Sequence, residues 1–520
     1  MAACTWGDAC WEVYACAPDP EPPPGPCEGQ PESAPALDQC GVFVSENGND
    51  GNPGTKGAPV RTLQHGIGLA AGGRDDGEAP TRRVYACGGT FEETITLPAG
   101  VDVWGGRLCD GGDWSYDGSF GGPNALTVIA PPVGIPVRVI AADDALIAVD
   151  GATSMIFGVR AVAADASASD GKSSIAMILS PGVRATVRES EILAGDAKDG
   201  EPGEDAPTER AKNGVVGNDG EDACTADVTT GAAPVVTVCD GGIDSTGGYG
   251  GDGRLETGGD GASGLPEPFG NPPDLGLGGF GAVSMPCKEG ERGADGAPAE
   301  RAAGAVGDGL LGVNGWVGVR GEDGKPGGVG QGGGGGGGGK GRGPMNACPA
   351  GRPQGGAAGG SGGSGGCGGK GGQGGGYGGA SIGIVALQGS ALTVEASTVL
   401  GAKGGKGGVG GTGQWGGFGA DGGRRGSGSV TDTSRGCDGG GGGHGGRGGD
   451  AGGGLGGHSL GIGSVGASVA ILQDATVLPG QAGKGGLGAN ATPENNLGQG
   501  EDGIPLFWYR FDASDPEPPR

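Results

Sequence analysis

The residue types able to do chemistry are unevenly supplied in this chain. Histidine is nearly absent: His65, His444 and His458 are the only three. None sits at metal-ligand spacing from another or beside a Ser or Cys in a nucleophile's context, which disfavours zinc chemistry and His-assisted hydrolysis. Carboxylates are plentiful. Asp143-Asp144 and Asp150, with Arg138 or Arg160, come nearest to an acid/base set, because cleaving a polysaccharide takes clustered carboxylates with a cation on one face. The pair Asp143-Asp144 also reads as a solvated turn between Val137-Arg138-Val139-Ile140 and Leu146-Ile147-Ala148-Val149, since Asp satisfies turn backbone groups with its own side chain. The turn is the preferred reading, and no catalytic residue is assigned.

Calcium is a better match than catalysis. Asn47, Asn49, Asp50 and Asn52 place several oxygen donors in one turn, and Asp196, Asp199, Glu201, Glu204 and Asp205 do so in another, although neither matches an EF-hand loop. Gly339-Lys340-Gly341 lacks the hydroxyl and the helix of a phosphate-binding loop, so nucleotide binding is rejected. Asn490-Ala491-Thr492 is a glycosylation sequon followed by Pro493, and carries little weight. No other cofactor is expected.

The 13 cysteines lie in turn-rich sequence rather than at zinc spacing, which points to disulfides in an oxidising compartment. The candidates are Cys10, Cys16, Cys27, Cys40, Cys87, Cys109, Cys224, Cys239, Cys287, Cys348, Cys367 and Cys437. The odd one, Cys4, follows Met1-Ala2-Ala3 in the manner of a lipoprotein's lipidated cysteine, with a free thiol as the simpler alternative. No apolar stretch precedes it and none elsewhere reaches membrane-spanning length.

Composition narrows the architecture. With 136 Gly and 36 Pro in 520 residues, and only 34% hydrophobic and 4% aromatic residues, one large conventional core cannot form, so any core must be local and repetitive. The formal charge of −28 argues against nucleic acid as a partner.

Residues 1–40 carry five cysteines and a Pro-rich run, and read as a stapled tether. From Gly41 on, short strands are expected at Val42-Phe43-Val44, Val84-Tyr85-Ala86-Cys87, Glu93-Thr94-Ile95-Thr96-Leu97 and Val101-Asp102-Val103-Trp104, separated by dense turn signals. A short helix fits 62–71, weakened by Gly66 and Gly68. The order of strand, turn, Pro59 with Thr62-Leu63-Gln64, then Gly89-Thr90-Phe91-Glu92-Glu93, Leu97-Pro98-Ala99-Gly100-Val101 and Trp104-Gly105-Gly106 resembles the start of bacterial pectin-lyase-like right-handed β-helices over roughly residues 41–165. The resemblance implies that the helix caps the open end of a solenoid, and it brings polysaccharide lyase or hydrolase activity into consideration.

An internal repeat supports a solenoid independently. Segments beginning at Ser174, Ser381 and Ser459 align without a gap, with Thr186-Val187, Thr393-Val394 and Ile471-Leu472 at one apolar position and Ile192-Leu193, Val399-Leu400 and Val477-Leu478 at the next. Each copy runs out into glycine-rich sequence, so the insertions leave from one recurring corner. A strict Gly-X-Y triplet is not kept, which disfavours collagen. Two arrangements remain for the insertions: flexible linker, or packed polyglycine-II strands in which the missing Cβ lets neighbouring backbones bond. Cysteines inside the tracts favour the second, with Trp316, Trp415 and Phe418 as covering residues.

The expected fold is all-β: a right-handed parallel β-helix with long glycine-rich insertions, either flexible or in polyglycine-II bundles. Its parts are a tether (1–40), β-helix (41–194), a glycine-rich insertion (195–379), a coil (380–402), a second insertion (403–457), C-terminal coils (458–511) with aromatic residues 506–511 capping the last, and a tail (512–520). The expected function is a bacterial extracellular or outer-surface protein, structural or adhesive and not an enzyme, presenting glycine-rich surfaces to a polysaccharide or another surface protein. The alternatives are a pectin-lyase-like lyase or hydrolase, and an ice- or surface-binding protein, which would call for Thr-x-Thr ladders that are absent.

Overall fold

The computed structural model describes residues 25–74, 79–116, 126–141, 149, 151–167, 172–267, 275–342, 347–428 and 432–512. These form an all-β architecture dominated by three large parallel sheets. The first sheet has seven strands: Val42–Val44, Arg83–Cys87, Asp102–Arg107, Thr153–Phe157, Arg184–Arg188, Ala391–Glu395 and Ser468–Ile471. The second has Ile95–Pro98, Val137–Ile140, Ser174–Leu179, Ser381–Ala386, Ser459–Ser464 and Pro505–Arg510. The third has Gly89–Phe91, Thr127–Ile129, Val159–Val162, Glu191–Leu193, Thr398–Leu400 and Thr476–Leu478. From Arg83 onward the chain visits the first, third and second sheets in turn and begins again, an order compatible with a β-solenoid.

Alternation along each strand sends every second side chain inward, and the parallel register stacks like on like. Val42, Val84, Val103, Ile156, Val187, Val394 and Ile471 form one inward column. Phe91, Ile129, Ala161, Ile192, Val399 and Val477 form another. The same small apolar layer thereby recurs from strand to strand, which is how so few apolar residues suffice.

The repeat aligns as expected in two sheets and slips in one. Ser174, Ser381 and Ser459 are register partners in the second sheet, as are Leu193, Leu400 and Leu478 in the third. In the first sheet Val394 instead pairs with Ile471, one residue ahead of the gapless alignment. The corner at Gly466 comes one residue earlier in its copy than the corner at Gly389, both glycines having positive φ. The chain recovers the residue before Thr476, which leaves Leu472 exposed.

The helix Leu63–Gly72 packs against strands Val42–Val44, Arg83–Cys87 and Ile95–Pro98, burying Leu63, Ile67, Ala70 and Ala71. Thr62 accepts the His65 amide, and Glu93 accepts those of Leu63 and Gln64, satisfying first-turn donors that a helix leaves open. Gly66 is required by close approach, since a Cβ there would stand 2.4 Å from Val44. On the outer side of the first sheet, Phe43, Tyr85, Trp104 and Phe157 stack in register. Residues 25–40 pack over that aromatic column through Ala34, Ala36 and the Cys27–Cys40 disulfide, and Arg188 pairs with Glu32 at 2.7 Å. The segment is docked for this length and does not hang as a tether. Residues 505–510 add a strand to the second sheet beside Ser459–Ser464, extending the sheet where a cap was expected, and only Phe511 of that stretch is buried.

The glycine-rich tracts are ordered and converge into one body. Gly321, Gly324, Gly327, Gly330, Gly333 and Gly336 donate to the carbonyls of Gly375, Gly372, Gly369, Gly366, Gly363 and Gly360, all at 2.8–2.9 Å. Every third residue bonds to the same antiparallel neighbour. The residues between bond elsewhere: Gly334 donates to Glu291 and Gly335 to Ala262, while the carbonyls of Gly333, Gly334 and Gly335 accept from Gly248, Gly440 and Gly279. The central segment is thus surrounded by six others. A Cβ on Gly333, Gly334 or Gly335 would lie 2.0, 1.9 or 1.9 Å from a neighbouring carbonyl oxygen, closer than any real contact, so all three triplet positions must be glycine in the unbroken run Gly332–Gly339. Where the same segment reaches the rim, Glu322, Asp323, Lys325 and Pro326 replace glycine and are exposed. Residues 480–503, expected among the C-terminal coils, also join this body, with Gly483, Gly486 and Ala489 donating to Gly457, Gly454 and Ala451.

Candidate binding surface on the glycine bundle

Bundle and sheets are joined at the corner where the tracts leave. In each copy the repeat's first serine staples it: Ser174 Oγ accepts the Gly195 amide and donates to Ala164 O, Ser381 Oγ accepts from Ala402 and donates to Gly195 O, and Ser459 Oγ accepts from Gly480 and donates to Ala402 O. Three disulfides then pin the bundle, Cys224–Cys348, Cys239–Cys367 and Cys287–Cys437, while Cys27–Cys40 and Cys87–Cys109 pin the coils. Every expected disulfide cysteine within the described residues is therefore paired. Cys4, Cys10 and Cys16 lie outside those residues.

The segment 403–427 runs at the bundle surface with two of its three faces against neighbours. Its third face shows Lys403, Lys406, Val409, Trp415, Phe418, Asp421 and Arg424 to solvent at three-residue spacing, with Thr412 half-buried in the same line. A threefold extended strand rises about 3.1 Å per residue, so successive side chains of this stripe stand roughly 9 Å apart. Trp415 and Phe418 are 55% and 47% exposed, not covering residues as expected, whereas Trp316 is buried under the second sheet's outer face. Cations flank the exposed pair. The Arg210 guanidinium lies 4.1 Å over Phe418 and 5.5 Å over Trp415, Arg447 lies 5.1 Å over Trp415, and His444 meets Phe418 edge-on at 5.5 Å. Arg210 also donates to Gly416 O at 2.9 Å, and Arg447 pairs with the buried Asp450 at 2.7 Å. Both cations are fixed beside the rings. The signal for this surface was present in the sequence as non-glycine residues at every third position, and what sequence alone could not supply was Arg210, Arg447 and His444 arriving from other segments.

Acidic residues along the same edge do structural work. Asp196, Asp199, Asp205, Asp219 and Asp222 each offer Oδ1 to the amide of Lys403, Lys406, Thr412, Arg424 and Ser427, at 2.7–3.0 Å. A carboxylate here replaces the carbonyl that a further strand would have provided. The amide and hydroxyl of Thr412 hold the Asp205 carboxyl below its ordinary pKa. Of the acidic set considered for calcium, Asp196, Asp199 and Asp205 are thus strung along a line at the strand's spacing, and Glu201 pairs with Lys198 at 3.3 Å. In the first set, Asp50 accepts from Arg61 and Thr62, Asn49 accepts from Gly51, and Asn52 donates to Pro59 O. Burial tends to raise the Asp50 pKa, and the Thr62 and Arg61 amides outweigh it and lower it. Among the described residues no three His, Cys, Asp or Glu side chains gather as a metal site.

Of the residues considered for catalysis, Asp143, Asp144 and Asp150 lie outside the described residues. Arg138 is in the second sheet and donates to Val313 O at 3.0 Å, and Arg160 pairs with Glu191 at 2.6 Å in the third. No protein-family model, curated protein or solved structure matches this chain. Among the described residues no helix is long and apolar enough to cross a membrane.

Proposed function

We propose that this protein is a rigid adhesive scaffold of a bacterial cell exterior: a right-handed parallel β-helix of pectin-lyase-like kind that carries a polyglycine-II bundle, and grips a polysaccharide on the bundle's surface without turning it over. The observation that carries the reading is the exposed Trp415–Phe418 pair on an ordered strand, with Arg210, Arg447 and His444 beside it. Aromatic rings offer flat apolar faces for the C–H faces of sugar rings, and they are held at little entropic cost because the backbone beneath is already fixed. Arginines alongside supply donors for hydroxyl oxygens. The five disulfides among the described residues are compatible with a compartment outside the cytoplasm.

The test is co-sedimentation of the purified protein with insoluble cellulose, chitin and peptidoglycan, compared with Trp415→Ala and Phe418→Ala. Retention by at least one polymer, lost in either variant while the melting temperature stays put, is the expected result. Retention by none, or undiminished retention of the double variant, would sink the assignment of this surface.

A further inference from the structure

A separate cavity of about 250 Å³ lies where the antiparallel hairpin Leu310–Gly312 and Gly315–Val317 covers the outer face of the second sheet. The outward column of that sheet reads Thr96, Arg138, Ile178, Val385, Gly463 and Tyr509. Ile178 and Val385 fill an apolar layer under the hairpin with Trp316. Arg138 is the one cation in the column, and it occurs where that layer gives way to the cavity. Its Nη1 donates to Val313 O at 3.0 Å, which fixes the guanidinium at the hairpin turn.

A second cation lines the same cavity. Lys172 donates to Tyr377 O at 3.3 Å and lies 4.5 Å over the Tyr377 ring, and that ring meets Trp316 edge-on at 5.6 Å. Neither Arg138 nor Lys172 has an ion pair among the described residues. Burial pushes both below their ordinary pKa, and Arg320 and Lys198 press Lys172 the same way against Glu201. Two partly desolvated cations beside two aromatic rings, neither in an ion pair among the described residues and only Lys172 within the field of a carboxylate, that of Glu201, carry an electrostatic cost that an anion would relieve.

We infer that this cavity binds an oxyanion borne on a flat ring, with the anion between Arg138 and Lys172 and the ring along Trp316 and Tyr377. The site is independent of the Trp415–Phe418 stripe, and its ligand is small enough to enter the cavity.

Isothermal titration of the full chain tests it with phenyl phosphate as probe and with inorganic phosphate and phenol as its two halves. Phenyl phosphate is expected to bind more tightly than either half. Arg138→Gln and Lys172→Gln are each expected to weaken it roughly tenfold, the loss of one charge-assisted contact. Trp415→Ala should leave it unchanged, which keeps this result separate from the polysaccharide test. Since Arg138→Gln risks disturbing the hairpin, Lys172→Gln with an unaltered circular dichroism spectrum is the deciding variant. Failure of phenyl phosphate to bind, phenol binding as tightly as phenyl phosphate, or unchanged affinity in Lys172→Gln would each overturn the proposal.

Discussion

In the parallel sheets Val187 has Ile156 on one side of it and Val394 on the other, and the sheets are held by apolar side chains packed in one shared core. In the bundle Gly362 has the Gly333 carbonyl oxygen 1.8 Å from where its Cβ would be, and segments are held by backbone groups with nothing between. The two regions use opposite routes to the same end. One stabilises a backbone by burying apolar area at roughly 25 cal/mol per Å²; the other buries backbone polar groups and must pair them all, because an orphaned one costs about 1–3 kcal/mol. The bundle also orders the residue type that loses most freedom on folding, so it needs more help than the coils do.

Disulfides are that help, and removing them is the largest way to break the comparison. The bundle's crosslinks join residues 124, 128 and 150 apart in sequence, those of the coils only 13 and 22. By chain entropy each long loop contributes about 4–5 kcal/mol and each short one about 3 kcal/mol. Full reduction should therefore abolish hydrogen-exchange protection across 321–339 while leaving it measurable at 391–395. Simultaneous loss in both segments would show that the two regions fold as one unit.

Point substitutions should separate the regions next. Met177→Ala, in the inward column of the second sheet, should cost about 2–5 kcal/mol by cavity formation. Gly335→Ala, whose Cβ would meet Tyr249 O at 1.9 Å, should cost about 3 kcal/mol or more by forcing strands apart. The same change at Gly68, in the helix with open space around it, should raise stability by about 0.5–1 kcal/mol. Denaturant midpoints would report all three, and a neutral Gly335→Ala would refute close backbone packing.

These contrasts explain what the sequence could disclose. The coils announce themselves because period-two alternation and the Ser174, Ser381 and Ser459 copies survive the long excursions between them. The sequence could not time the slip at Ile471, which depends on a corner one residue shorter at Gly466. In the tracts, composition alone left flexible and packed arrangements open, since both favour glycine. The deciding pattern is finer: glycine occupies as many of the three triplet positions as the segment has covered faces, one along much of 196–223 and all three at 332–339. The binding surface was legible only in part, because 403–427 contributes the rings and distant segments contribute Arg210, Arg447 and His444. Arg138 stood out in the sequence for a catalytic role beside Asp143 and Asp144, whereas its neighbours in the cavity are Lys172 and two aromatic rings brought in by the hairpin and the bundle.

Acid should act on the two regions in opposite directions. In the first sheet, burial raises Asp102 to about 6, against the Met155 amide that it accepts. A raised carboxyl favours the folded state when protonated, so Asp102 adds stability as pH falls from about 6 to about 4, on the order of 2 kcal/mol, against the opposite and later loss at the exposed Asp50. Asp102→Asn should remove that gain and be the more stable protein at neutral pH. In the bundle, Asp205 is lowered by the Thr412 amide and hydroxyl. Burial opposes the shift at Asp252, Asp450 and Asp502, where the Gly231 amide, the Gly413 amide and Lys484 outweigh it. Stability from these groups is present above the unfolded carboxyl value and is lost as pH falls below about 4. Limited proteolysis with an acid-active protease should then cut the tracts before the coils, and the reverse order would contradict the assignment of these carboxylates.

The smallest effect isolates one rung of the acidic edge. Asp205 is well exposed and accepts from the amide and hydroxyl of Thr412 at 2.7 and 2.9 Å. Asp205→Ala leaves that amide to water, so it should cost no more than about 1 kcal/mol, far below Gly335→Ala. Asp205→Asn keeps an oxygen in place and should be near neutral at pH 7, with less loss in acid than the parent protein. If Asp205→Asn were as damaging as Asp205→Ala, the charge and not the acceptor would be what the edge needs. The row of aspartates would then be an electrostatic device running beside Lys403 and Lys406, and not a stand-in for the missing strand.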